Sequence, residues 1–330
     1  MESDAPIRLD RRLWIWSVVA GASYGLFARL MAGLHSTGQV FQVMSASFIF
    51  GVPLVLGFIS IWVLESRRRQ KWWKWIVAPW PGGLLFLLGA LALVWEGIVC
   101  IVIWLPLVLI LSTIGGVAAG LLRLLWLGPG SKIQCVTVAA LLPFAAAPLE
   151  NLRSAASEIR TVRTHIDIHG DRAAVWAQIR SVSKIAPSEN DFSLSHLLGF
   201  PLPLEAKLEG VGVGAVRHAT FEGGVLFVET VTEWEEDRAL GFSIKADTKN
   251  IPPTTFDEHV TIGGPYFDVL DGRYEIEELG TGWVRLHLSS RQRLSTHFNF
   301  YSHLWTEWLM ADLQNHILRI VRRRAEVVPR

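Results

Sequence analysis

Charge is scarce in this sequence. Only 18% of the 330 residues are Asp, Glu, Lys or Arg while 51% are apolar, which excludes an ordinary soluble globular protein over the whole length and asks for the chain to be read in halves. An excess of basic charge is missing too: 31 Lys and Arg stand against 30 Asp and Glu. Nucleic acid is thereby set aside as a partner, because phosphate binding needs a basic face and the densest basic run here abuts apolar segments. Cysteine is nearly absent. Cys100 and Cys135 lie in strongly apolar stretches, so they read as small buried hydrophobes and not as a disulfide framework or a metal site. Zinc, dinucleotide-binding, phosphate-loop and nucleophile-elbow patterns are all lacking, and "LGPGSK" at 127–132 does not have the phosphate-loop spacing. No cofactor and no metal are expected.

What is present in the first half is length without charge. Residues 13–34 and 40–64 are each long enough to cross about 30 Å of hydrocarbon at about 1.5 Å per residue. From Gly82 to Leu122 only Glu96 is charged, which suits two further spans, 83–104 and 106–126, turning at Trp104–Pro106. A fifth stretch, 133–149, is shorter and holds Pro143 and Pro148, so it reads as a span, a re-entrant piece or an interfacial helix. Residues 1–152 are therefore expected to form an α-helical transmembrane bundle of four or five helices. Arg8, Arg11 and Arg12 precede the first span, and Arg67, Arg68, Arg69, Lys71 and Lys74 follow the second. Both ends are expected in the cytoplasm, with the uncharged loop "HSTGQ" outside and Arg123 and Lys132 inside again. Five spans would leave the second half outside; four would leave it in the cytoplasm. No small-residue cleavage site follows the first span, which favours an uncleaved anchor. Two charges fall within spans, Arg29 and Glu96. They are either a polar contact for a ligand or pathway, or a structural pair or snorkelling side chains. The spacings Gly21–Gly25 and Gly116–Gly120 fit close helix packing.

From about Leu152 the long apolar runs stop. "VRTHIDI" alternates, with Val162, Ile166 and Ile168 on one face, as a half-buried strand does. Asp171 is placed to cap a helix that carries Val175, Ile179 and Val182 on one side. After a Pro- and Gly-punctuated segment, 187–208, come strand-like runs: "GVGAVRHATFEGGVLFVETVTEW", dividing at Gly223-Gly224 as a hairpin would, then "ALGFSIKA", "YFDVL", "GRYEIEEL" and "GWVRLHLSS". A long amphipathic helix closes the order. Tyr301, Trp305, Leu309, Leu313, Ile317 and Val321 recur every four residues, widened by Leu304, Trp308, Leu318 and Ile320, with Glu307, Asp312, Gln314, Arg319 and Arg322 elsewhere. Strands, short helices and one long terminal helix make an α+β unit whose sheet needs a cover.

The stretches "VWAQIRSVSKI", "GVGAVRHATFEGGVLFVETVTEWEEDRALGFSI" and "YSHLWTEWLMADLQNHILRIVRRRAE" resemble the START-like, helix-grip superfamily, specifically its bacterial polyketide cyclase/dehydrase and lipid-transport group. The resemblance covers roughly residues 160–326. It implies, over 158–326, a curved antiparallel sheet of about seven strands gripping the C-terminal helix around a hydrophobic cavity. It also implies a lipid or other hydrophobic small molecule as partner, held beside the bilayer of a bacterial cytoplasmic membrane. The membrane half departs from most members, so sensing, extraction or presentation of ligand at the membrane is expected rather than free transfer. A cyclase- or dehydrase-like enzyme, and an interaction module without ligand, are the alternatives.

Polar groups available to such a cavity are His218, Glu229, Asp257, Glu258, His259 and Tyr274. A general acid or base would come from His218, Glu229 or His259, although alternation alone leaves open whether Arg217 or His218 points inward. His165 and His169 are roughly 13 Å apart on one strand, too far to share a metal. Candidate ligand-binding wall residues are Trp176, Leu197, Phe200, Phe221 and Phe227, together with Phe242, Phe267, Tyr301, Trp305 and Leu309. The loops 195–203 and 250–256 are placed to gate the cavity or face the membrane.

Overall fold

A computed structural model describes residues 11–34, 41–66, 69–127, 133–247 and 262–327. Arg8, the "HSTGQ" loop, Arg67, Arg68, Lys132, the loop 250–256 and Asp257, Glu258 and His259 lie outside the described residues. The chain divides into two compact units, Met1–Glu96 with Cys100–Ser154, and Ala155–Arg330 with Gly97–Val99.

The first unit is helical: α1 (Arg11–Gly33), α2 (Val52–Leu64), α3 (Trp73–Val77), α4 (Trp80–Ala92), α5 (Ile98–Leu122) and α6 (Ile133–Glu150). Four stretches, Arg11–Gly33, Ser47–Leu64, Trp73–Ala92 and Ile98–Leu125, are long and apolar enough to cross a membrane by length and composition, and Gln134–Glu150 is a shorter apolar helix. The turn expected at Trp104–Pro106 lies instead between α4 and α5. Val94 takes a left-handed φ of 55°, Trp95 N–H returns to the Ala90 carbonyl at 3.0 Å, and Glu96-Gly97 follows. Pro106 sits inside α5. A proline removes only one N–H, which a helix packed in a bundle tolerates, whereas a charged residue beside a glycine is the better place for a break.

Backbone approach sets the packing of this bundle. A Cβ at Gly57 would collide with the Ser112 carbonyl, and one at Gly115 with the Leu54 carbonyl, so α2 and α5 touch main chain to main chain. At one end of the bundle the Glu65 carboxylate accepts from Trp75 Nε1 at 2.5 Å, while Arg123 donates to the Glu65 carbonyl at 2.6 Å and lies over the Trp62 ring at 4.4 Å. Trp14, Cys135 and Val136 pack against this cluster. At the other end Arg29 donates to Glu96 Oε1 at 2.5 Å and to the Trp95 carbonyl at 2.6 Å. The start of α6 thus sits with the C-terminal end of α2. Its middle meets α1, where Tyr24 donates to the Ala140 carbonyl at 3.0 Å. Its last residue, Glu150, accepts from Ala46 N–H at 2.6 Å and Ser47 N–H at 2.9 Å, just ahead of α2, so α6 runs the full depth of the bundle.

The second unit is a seven-stranded antiparallel sheet in the order β1-β7-β6-β5-β4-β3-β2. Its strands are β1 (Glu158–His169), β2 (Pro203–Glu209), β3 (Val216–Phe221), β4 (Leu226–Glu235), β5 (Ala239–Asp247), β6 (Phe267–Gly280) and β7 (Trp283–Leu294), with helices α7 (Arg172–Arg180), α8 (Leu194–Leu197) and α9 (Asn299–Val327). Two strand expectations change. β2 lies in the segment read as punctuation, because Pro203 opens an edge strand, where no ladder bond is lost. "YFDVL" and "GRYEIEEL" are one strand, β6, with an irregularity between Val269 and Asp271: Gly272 marks a close approach and not a turn, since a Cβ there would stand 2.7 Å from Phe242 Cε2. Asp171 does cap α7, accepting from Ala174 N–H at 2.7 Å, and the β3–β4 connection turns at Gly223 with φ 71°.

The core lies between the sheet and the C-terminal half of α9, where Ile168, Ile179, Leu240, Leu286 and Leu318 are fully buried. The face of α9 differs from the expected stripe. Positions four apart advance about 40° per step at 3.6 residues per turn, so Tyr301 and Val321, five steps apart, point to nearly opposite sides. Leu304 and Trp308 are accordingly exposed, while Gln314 and His316, expected elsewhere or not at all, are 3% and 1% exposed. Gln314 is buried because it is fully bonded: it donates to Ser290 Oγ at 2.7 Å and accepts from Thr164 Oγ1 at 2.9 Å. Segment 183–195 is tied to successive turns of α9. Arg324 bonds Glu189 at 2.6 Å, Arg323 bonds Asp191 at 2.7 Å and Asp312 accepts from Ser193 Oγ at 2.5 Å and Ser195 N–H at 2.9 Å.

Candidate ligand-binding cavity

Between the sheet and α9 lies a cavity of about 160 Å³, comparable to an apolar protein cavity of about 150 Å³ that holds benzene. The sheet contributes Ala219, Phe227, Phe242 and Leu288, α9 contributes Met310, Leu313, Ile317 and Ile320, and the segment before β2 contributes Ile185 and Phe200. Gly272 leaves the room in which the Phe242 ring lies.

Set into this apolar lining is a polar wall on the sheet. Arg217 and Glu229 are register partners on β3 and β4, so their side chains leave the same face. They form an ion pair, each 4% exposed. The Arg217 guanidinium stands 5.5 Å from the Phe242 ring centroid, and Tyr274 of β6, 3% exposed, bonds it electrostatically. Burial raises the Glu229 carboxyl above the usual carboxylate range, with Arg217 offsetting only part of that. Burial opposes the charge on Arg217, but the attraction of Glu229 outweighs it and Arg217 stays cationic. Burial also raises the Tyr274 hydroxyl, so Tyr274 is a neutral donor at any physiological pH.

On the helix side His196 of α8 and His316 of α9 line the same cavity, with ring centroids 4.5 Å apart in an edge-to-face contact. Burial, the neighbouring His196 and Arg319 bring His316 down to about 4, and burial lowers His196. Both are neutral imidazoles at pH 7. Asp312 beneath them is held low: burial works against its charge, and hydrogen bonds from Ser193 and Ser195 outweigh it.

Of the candidate wall residues, Phe200, Phe221, Phe227 and Phe242 line the cavity together with Glu229 and Tyr274. The others are elsewhere. Trp176 packs edge-on against Trp234 at 5.1 Å in the core, Leu197 is 66% exposed while its neighbour His196 turns inward, and Phe267 stands at the start of β6, two residues before lining Val269. Tyr301, Trp305 and Leu309 do not line the cavity, although Leu309 is buried. His218 faces outward, 3.7 Å from Glu209, which resolves the alternation in favour of Arg217. His165 stands opposite His287 on β7, and among the described residues no cluster of three or more His, Cys, Asp or Glu could hold a metal ion. Sequence reasoning missed His196, Gln314 and His316. The signal for the last two was their spacing on the face that α9 buries, Gln314 three residues before Ile317 and His316 three after Leu313.

No family model matches the chain and no curated protein matches it. Solved structures do resemble the second unit. A START superfamily protein from Mycobacterium smegmatis has 10% identity and a TM-score of 0.35, covering 51% of this chain and 99% of that one. The Zhui aromatase/cyclase from Streptomyces sp. R1128 has 12% identity and a TM-score of 0.33, covering 51% and 94%. Norcoclaurine synthase from Thalictrum flavum, in complex with dopamine and hydroxybenzaldehyde, has 13% identity and a TM-score of 0.30, covering 50% and 87%. By its own strand order, and by the long terminal helix lying across the sheet, the second unit has a helix-grip fold.

Proposed function

We propose that the chain is a membrane-anchored binding protein whose second unit holds a lipid or other hydrophobic small molecule for sensing, extraction or presentation at the bilayer. The observation that carries this reading is the apolar cavity between sheet and α9, unfilled by its own aromatics and furnished with a few convergent polar groups. Native mass spectrometry of the detergent-purified full chain, with lipid extraction, tests it. An apolar molecule is expected to co-purify with the wild type and to be lost from Ala219→Trp, which fills the cavity. A bare wild-type protein would overturn the reading.

The anchor is supported by the four long apolar stretches and by large apolar side chains that the first unit turns outward, such as Trp16, Leu88, Ile110 and Val138. The course of α6 supports five crossings. Arg11 and Arg12, Arg69 and Lys71, and Arg123 gather at the end where α1 begins and α2 and α5 finish, and the bias of basic residues supports a cytoplasmic side for that end. Glu150 is at the other end, which supports, as part of the same proposal, a helix-grip unit outside the cytoplasm at a bacterial inner membrane. Tethering raises the effective concentration of the cavity near its ligand without new contacts.

Arg217, Glu229 and Tyr274 favour one further reading, an enzyme of the cyclase or dehydrase kind. A carboxyl raised by burial next to a fixed cation and a neutral phenol is suited to proton transfer at an enolisable ketone. Incubation with a β-hydroxyketone tests it: loss of water seen by mass spectrometry, and abolished in Glu229→Gln, would establish chemistry, whereas recovery of unchanged ketone leaves binding alone.

A further inference from the structure

The histidine pair is not explained by packing. Three of its four ring nitrogens, both of His196 and Nδ1 of His316, are buried and find no hydrogen-bond partner among the described residues. Only His316 Nε2 is bonded, to Asn190 Oδ1 at 3.1 Å. A buried polar atom left without a partner costs about 1–3 kcal/mol, and phenylalanine would fill the same space without that penalty. Nor is the pair needed to hold α8, which Asp312 already ties to α9 through Ser193 and Ser195. What the two rings share is the cavity wall they form.

We infer that His196 and His316 form a second polar subsite, so that the molecule bound in this cavity is an apolar body carrying a polar group at the Arg217–Glu229–Tyr274 wall and a hydroxyl at the histidine wall. The hydroxyl follows from the bond to Asn190. With His316 Nε2–H donating to the Asn190 carbonyl oxygen, Nδ1 of that neutral ring is an acceptor, and a hydroxyl is the uncharged group that donates to it while accepting an N–H from His196. An amine or carboxylate fits less well, since both imidazoles are neutral and no compensating charge is aimed at them. The inference rests on the cavity being the ligand site and adds the chemistry at its far end.

The test uses the full chain in detergent and three probes of one size: naphthalene, 2-naphthol and 2,6-dihydroxynaphthalene, titrated calorimetrically against detergent blanks. One hydroxyl gaining two hydrogen bonds of ordinary strength is worth about a tenfold change in affinity. The diol is expected to bind about tenfold tighter than 2-naphthol in the wild type. His196→Phe and His316→Phe should each bring that ratio close to one. The double variant Arg217→Met/Glu229→Leu should weaken 2-naphthol instead and narrow its margin over naphthalene. A wild-type ratio near one, or a ratio that survives both histidine variants, would overturn the second subsite and leave the binding reading standing. Failure of all three probes to bind would overturn both. If His316→Phe does not fold, His196→Phe carries the test alone, because its ring nitrogens have no hydrogen bond to lose.

Discussion

A buried charge is safe only with its partner. Arg217 and Glu229 are both nearly inaccessible, so Arg217→Ala strands a carboxylate and should destabilise the second unit by roughly 3–5 kcal/mol, whereas replacing both residues by Met and Leu should be close to neutral. Thermal unfolding of the two variants followed by tryptophan fluorescence separates these outcomes. His316 gives the pH dependence. Its folded-state value of about 4 lies below the ordinary histidine value of about 6.5, so the unfolded chain binds the extra proton first. Stability is full above about pH 6.5 and declines as pH falls toward 4, by roughly 3 kcal/mol. Glu189, held at about 2 mainly by its hydrogen bonds from Arg324, adds a loss in the same direction as pH drops below its ordinary range of about 4.3. Denaturant titrations at pH 7 and pH 4.5 should show the decline, and His316→Phe should flatten it between 6.5 and 4.

At the scale of the element, α9 is two half-helices in function. From Leu309 onward it carries the core and the cavity wall, and its first turns, with Leu304 and Trp308 exposed, carry neither. Leu318→Ala, at a position with no exposure, should cost about 2–5 kcal/mol. Trp305→Ala should cost clearly less despite removing the larger side chain, and equal losses in the two variants would show that the helix buries both halves alike. On β6, Gly272→Ala puts a methyl 2.7 Å from Phe242 Cε2, so the ring must turn, and weaker uptake of 2-naphthol at nearly unchanged stability is expected. Alternation located the strands β1, β3, β4, β5 and β7 because a half-buried strand writes its period of two into the sequence. β2 and the continuity of β6 were not legible. A proline at an edge and a glycine under an aromatic ring look the same in sequence as the proline and glycine of a turn.

For the whole molecule, the proposed anchor makes the side on which the second unit lies the decisive question. Phosphatase fused after Arg330 should be active if α6 completes a fifth crossing and a fluorescent protein fused there should be dark; the reverse pattern would place the helix-grip unit in the cytoplasm. Gly115→Leu should disrupt the first unit, because the Leu54 carbonyl occupies the space a side chain would need, and loss of the folded protein from detergent extracts is the expected result.

Composition and periodicity alone determined that this chain has an apolar helical half and an α+β half, and that a long amphipathic helix closes the second. Those properties are local, written in runs of about 20 residues or in periods of 2 and 3.6. The resemblance to helix-grip proteins added Glu229 and Tyr274 as polar groups and four of the phenylalanines that line the cavity. Tertiary structure decided the rest: that Arg217 and not His218 faces inward, that Arg29 meets Glu96, that α6 runs from one end of its bundle to the other, and that His196 and His316 come together. Each of these depends on register or on contacts between residues far apart in the chain, 116 positions for Tyr24 and Ala140, where a slip of one residue in a strand, or of about 40° around a helix, exchanges the buried face for the exposed one.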